Sequence, residues 1–170
     1  IPQKVFNVGA PGIDSIKSLK LIDRNALTGS LGFDVKGPFI VVTYHPVTLD
    51  KDGALIALEN LLSVLATYPD LNFIMTYPNA DTHNRGIITA LEAFKKEHCD
   101  QVLLVRSLGQ LRYLSLLKHC EAVIGNSSSG LIEAPTFLKP TVNIGNRQGG
   151  RICGGTVINS DEDVPSIKKA

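Results

Sequence analysis

Short β-branched runs alternate along this chain with longer runs of helical period. Phe39-Ile40-Val41-Val42-Thr43 is apolar without interruption, as strands buried on both faces are. Leu55, Leu58, Leu62 and Leu65 then repeat at helical spacing until Tyr68-Pro69-Asp70 stops the helix. Leu71 to Thr76 reads as the next strand, and Ile87, Ile88, Leu91 and Phe94 stripe a helix running to about His98. Val102 to Val105 is a strand, and Leu111, Leu114 and Leu117 mark a helix. Ala122-Val123-Ile124 and Thr141 to Ile144 complete the clear strands, with a further helix opening between them. Upstream, Val5 to Val8 reads as a short strand, followed by the turn Gly9 to Gly12 and a helix near Ile13 to Leu19. The glycine-bearing stretch Asn25 to Gly37 reads as a loop.

A β-α unit repeated about five times at this spacing predicts right-handed crossovers. The expected fold class is α/β, a Rossmann-like doubly wound parallel sheet. The 170 residues suit one domain spanning 1–170, or one half of a two-domain protein. Such sheets bind ligands beyond the carboxyl ends of their strands. That rule selects a rim: Gly9 to Gly12, Tyr44 to Thr48, Tyr77 to Asn79, Arg106 to Gly109, Gly125 to Gly130 and Gly145 to Arg151.

Composition narrows the partners. Seventeen basic residues against 16 acidic ones give no global field for nucleic acid or an anionic membrane. Aromatics are sparse and do not interleave with the basic residues, which argues against a stacking platform for single strands. Cys99, Cys120 and Cys153 form no CxxC pair and fit a reducing compartment, so the cytoplasm is expected. No apolar run approaches the roughly 18 residues of a membrane span, and no signal peptide opens the chain. The first residue, Ile1, suits a piece excised from a longer polypeptide. His83, His98 and His119 lie on or beside helices without partners in the pattern, and no metal-ligand spacing occurs.

The stretch Gly125-Asn126-Ser127-Ser128-Ser129-Gly130 carries the candidate chemistry, and three readings compete for it. A nucleophile elbow needs glycine two residues either side of the serine, and neither Ser127 nor Ser128 has both. The last histidine, His119, also precedes the serines, against the order of α/β-hydrolases. An ordinary helix cap is the second reading, with Ser129 and Glu133 near, but not at, the spacing of a capping box. An anion cradle is the third: N–H groups and hydroxyls at a helix start would face a diphosphate, with Arg147 or Arg151 as cation. Glu133 would then suit the two hydroxyls of a ribose. His45, between a buried strand and Pro46, stands extended at the rim, where an imidazolium would stabilise a departing diphosphate.

Thr43 to Thr48, Gly125 to Pro135 and Pro140 to Arg151, in this order and with Ser107 to Leu117 between them, resemble the hydrolysing UDP-N-acetylglucosamine 2-epimerases of sialic and related nonulosonic acid synthesis. The likeness covers nearly the whole chain. It implies two Rossmann-type domains in the glycosyltransferase-B arrangement, of which this chain resembles the carboxyl-terminal, nucleotide-binding half. The implied reaction eliminates UDP across C1–C2 and adds water to the resulting glycal, releasing N-acetylmannosamine or a diacetamido analogue. No metal and no redox cofactor is implied.

By matching position, His45 falls on the catalytic histidine near the phosphates, and Ser127 and Ser128 on the diphosphate-contacting serines. Glu133 falls on the ribose-holding glutamate and Arg147 on the arginine at the diphosphate. Arg106, Ser107 and Leu108 fall at the uracil, and Arg151 is a further anion partner. The family's acid and base belong to an amino-terminal domain that this chain lacks, so the chain alone is expected to bind UDP weakly and turn nothing over. Family members are commonly homo-oligomers. The alternatives are the nucleotide-sugar domain of a glycosyltransferase with the same architecture, and a nucleotide-binding module without catalysis.

Overall fold

A computed structural model describes residues 2–6, 8–34, 37–47, 53–79 and 84–170. Six strands form one sheet: β1 (Phe39–Thr43), β2 (Asn72–Thr76), β3 (Val102–Val105), β4 (Ala122–Gly125), β5 (Thr141–Ile144) and β6 (Val157–Ser160). Every pairing is parallel and the order is β3-β2-β1-β4-β5-β6. The helices are α1 (Gly12–Ser18), α2 (Arg24–Leu31), α3 (Gly53–Leu65), α4 (Arg85–Glu97), α5 (Gly109–His119), α6 (Ser128–Ile132) and α7 (Val164–Lys169).

Period-two alternation along β1 divides the core. Ile40 and Val42, with Tyr44 just beyond, face a cluster that holds Leu58, Leu61 and Leu65 of α3, Leu91 of α4 and Ile167 of α7. Phe39 and Val41 face the opposite cluster, with Ile16 of α1, Leu27 of α2 and Leu114, Leu116 and Leu117 of α5. Helices on both faces leave β1 buried along its whole length, which is why its sequence shows no polar alternation. The expected doubly wound α/β fold is the one observed.

Three local expectations are corrected. Among the described residues of the expected first strand, Val5, Phe6 and Val8 belong to no strand: they are three-quarters exposed, and a 3₁₀ turn, Pro2–Lys4, precedes them. A β-branched run without a neighbouring strand has no partners for its N–H and C=O groups. Gly9 to Gly12 therefore leaves the rim. The first part of the expected loop at 25–37 is instead helix, because α2 runs from Arg24 to Leu31; it is started by Asp23, whose carboxylate accepts from the N–H groups of Asn25 and Ala26. Gly32 ends α2 in the left-handed conformation, as glycine does without strain. The edge strand β6 was not anticipated. Thr48 and His83 lie outside the described residues. Among the described residues, no helix is long and apolar enough to cross a membrane.

Candidate functional site

The strand order reverses between β1 and β4, and the register pairs Thr43 with Gly125 where both strands end. Gly125 holds φ +138°, and a Cβ there would lie 2.0 Å from the Thr43 carbonyl oxygen, so only glycine fits. The following N–H, of Asn126, donates to that same carbonyl at 3.2 Å. The chain segments leaving β1 and β4 are thereby held against each other at the topological switch point, where open α/β sheets bind ligands.

His45 follows β1 and is 7% exposed. Its N–H donates to Asn126 Oδ1 at 2.8 Å, and Asn126 Nδ2 donates back to the His45 carbonyl at 2.9 Å. On the ring, Nδ1 accepts from the Asn79 N–H at 3.3 Å. A ring that accepts at Nδ1 is neutral and carries its proton on Nε2. The imidazolium expected from the sequence therefore requires the Asn79 contact to open.

A cleft of about 370 Å³ lies over the ends of β1 to β4. It gathers six of the expected residues: His45, Arg106, Ser107, Leu108, Ser127 and Glu133. Ser127 is the N-cap of α6, its Oγ accepting from the Ser129 N–H at 3.4 Å. The cap reading and the cleft reading thus apply to one serine. At five residues α6 is short, so serine hydroxyls, rather than a long helix dipole, give this corner its polarity. Glu133 ends α6 one turn further on. Arg106 is exposed, with its guanidinium carbon 5.1 Å from the centre of the Tyr77 ring. Tyr77 donates to Glu92 at 3.0 Å, and burial followed by that carboxylate raises its pKa. Leu108 is buried, and the Arg112 Nε holds its carbonyl at 3.0 Å.

Arg147 and Arg151 instead line an adjoining hollow of about 910 Å³ beyond β5 and β6, together with Asp161 and Glu162. Arg147 remains coupled to the cleft, because its guanidinium donates at 3.1 Å to the carbonyl of Asn126, the residue before Ser127. Ser128 begins α6 and lines neither hollow.

Three residues that the sequence pattern does not single out shape this corner. Tyr113 of α5 reaches into the cleft and donates to Ser129 Oγ at 2.8 Å. Burial, and then the nearby Glu133 carboxylate, push its pKa up, so the phenol stays a neutral donor. Its signal was a lone phenol beside a leucine stripe, a group that seeks a partner once buried. Asn126 and Gln148 are buried amides, and the Gln148 Nε2 donates to the Asn126 carbonyl at 2.7 Å. Their burial on a rim read as polar loops gave no sequence signal.

The family model for UDP-N-acetylglucosamine 2-epimerases matches residues 1–170. The chain is 34% identical over 159 residues to GDP/UDP-N,N'-diacetylbacillosamine 2-epimerase (hydrolysing) of Campylobacter jejuni, covering 94% of this chain and 41% of that protein. It is 38% identical over 170 residues to polysialic acid biosynthesis protein P7 of Escherichia coli, covering 99% and 42%. The chain thus spans about two fifths of the length of these relatives. Among solved structures it resembles UDP-GlcNAc 2-epimerase of Methanocaldococcus jannaschii in complex with UDP-GlcNAc and UDP, with TM-score 0.64, 14% identity, and 92% and 42% of the two chains covered. That likeness speaks for the fold, the Rossmann-like half of a glycosyltransferase-B type architecture. By the match along its whole length, the chain belongs to the UDP-N-acetylglucosamine 2-epimerase family.

Proposed function

We propose that this chain is the UDP-binding domain, residues 1–170, of a hydrolysing UDP-sugar 2-epimerase. The observation that carries the reading is the single cleft in which His45, Ser127, Glu133 and Arg106 to Leu108 meet at the switch point. The uracil would lie against Arg106 to Leu108 and the Tyr113 ring, and Glu133 would accept the ribose hydroxyls. The diphosphate would meet Ser127, with Ser128, Arg147 and Arg151 supplying further donors from the adjoining turn and hollow. His45 would donate to the oxygen on which charge develops as UDP departs across C1–C2, a contact stronger in the transition state than before it. Water then adds to the glycal and the 2-epimeric free sugar leaves.

The acid and base for the C2 proton would come from an amino-terminal domain of the same protein, so this chain alone should bind UDP weakly and release none from substrate. The substrate is UDP-N-acetylglucosamine or a UDP-diacetamido relative, the latter supported by the names of the Campylobacter relative and of a 33% identical Legionella one.

Titration of the chain with UDP, and with GDP as control, followed by amide NMR, tests the nucleotide reading. Glu133→Ala and Arg147→Ala should each weaken UDP by about one to two decades, the value of a charge-assisted contact of roughly 1.5–3 kcal/mol. Equal binding of both nucleotides, or UDP binding untouched by Glu133→Ala, would overturn it. Sugar released by the full-length protein from each UDP-sugar then separates the two substrates.

A further inference from the structure

Asn126 touches three site loops at once. Its side chain has no exposed surface and takes both main-chain groups of His45, accepting from the N–H and donating to the carbonyl. A primary amide presents an acceptor and an N–H donor on one carbon, and so makes this pair without a charge. The next residue, Pro46, has no N–H to anchor the loop. On its other side, the Asn126 carbonyl collects the Arg147 guanidinium and the Gln148 amide at 3.1 and 2.7 Å. Loops after β1, β4 and β5 therefore converge on one buried residue.

We infer that Asn126 is a positioning residue of the reaction: it sets His45 in register with Ser127 on one side and Arg147 on the other. The inference rests on the function proposed above, in which His45 acts on the departing diphosphate. Asn126 need touch no substrate, because a ring displaced by about 1 Å costs on the order of 100-fold in rate.

The test is steady-state kinetics of the intact enzyme carrying this chain, with kcat expressed per folded site counted by UDP titration. Asn126→Ala should lower kcat on the order of 100-fold while KM moves less than about threefold, since the residue acts on the transition state through His45. Asn126→Asp adds a readout that packing alone would not move. A protonated carboxyl offers the same acceptor and donor as the amide, whereas a carboxylate sets oxygen against the His45 carbonyl. The kcat of N126D relative to wild type should therefore rise as pH falls, in a range raised by burial above that of ordinary carboxylates.

Unchanged kcat per folded site, or an N126D ratio flat with pH, would overturn the inference. If neither variant folds, hydrogen exchange at the His45 amide of the unaltered enzyme decides: protection supports the clamp, and exchange at the free-peptide rate refutes it. His45→Ala separates the layers. Full activity of that variant removes the proposed function, whereas loss there without loss in the Asn126 variants removes only the positioning role.

Discussion

A Cβ on residue 125 would lie 2.0 Å from the Thr43 carbonyl oxygen, and no rotamer can relieve that clash, because the backbone alone fixes where a Cβ sits. Gly125→Ala should cost about 3 kcal/mol or more, adding overlap to a backbone angle that side chains avoid. A urea midpoint within error of wild type would show that β1 and β4 separate readily there. This glycine also explains what was legible at single residues. The stretch 125–130 drew attention by composition, and His45 by its place between strand and proline. Asn126, in the middle of the same stretch, went unremarked because a buried amide and a loop amide look alike until the fold brings position 45 to position 126. Tyr113 was hidden differently, since its partner Ser129 lies 16 residues away on another helix.

Among elements, those with strong periodicity were read nearly to the residue, and those held by a single cap or edge were not. α2 carries only Leu27 and Leu31 as large apolar residues, and only Leu27 is buried. Its start depends on Asp23, so Asp23→Ala should cost about 1 kcal/mol, read from the urea midpoint, with far-UV CD reporting helix loss. β6 escaped notice because an edge strand needs little apolar sequence: Ile158 and Asn159 are exposed, and β5 alone supplies its partners. α7 begins at Asp163, which accepts from the Ser166 N–H at 2.9 Å and from its hydroxyl at 2.8 Å. Those bonds, the backbone one foremost, lower the Asp163 pKa. The folded form thus favours the ionised carboxyl, and the cap's stabilisation is present above the unfolded value near pH 4 and is lost as pH falls through the lower folded value. The difference between wild type and Asp163→Ala in urea midpoint should be seen at pH 7 and should shrink towards pH 3. A difference independent of pH would mean that the carboxylate is not the capping group.

Over the whole molecule, the site is made by the sheet rather than by any one loop. The ends of β1, β2, β3 and β4 each deliver residues to the cleft, so binding a nucleotide there should tighten the entire core. Cys120 can report this. It lies fully buried between the sheet and α5, and burial pushes its thiol up to about 12, whereas Cys99 and Cys153 are exposed. The raised value keeps the folded thiol neutral, so its contribution is complete below the unfolded value near 9 and is lost as pH rises from there to about 12. At pH 8 two thiols should react quickly with a disulfide reagent, and the third only as the sheet opens. UDP at 100 times its Kd would stabilise the folded state by about 2.7 kcal/mol and slow Cys120 labelling about 100-fold, provided that opening equilibrates faster than labelling. Cys99, remote from the cleft, should keep its rate, and GDP at the same concentration should protect far less. If Cys120 reacts at a rate that neither urea nor UDP changes, α5 opens locally from the sheet, and the strand ends that build the cleft are not one cooperative unit with the core.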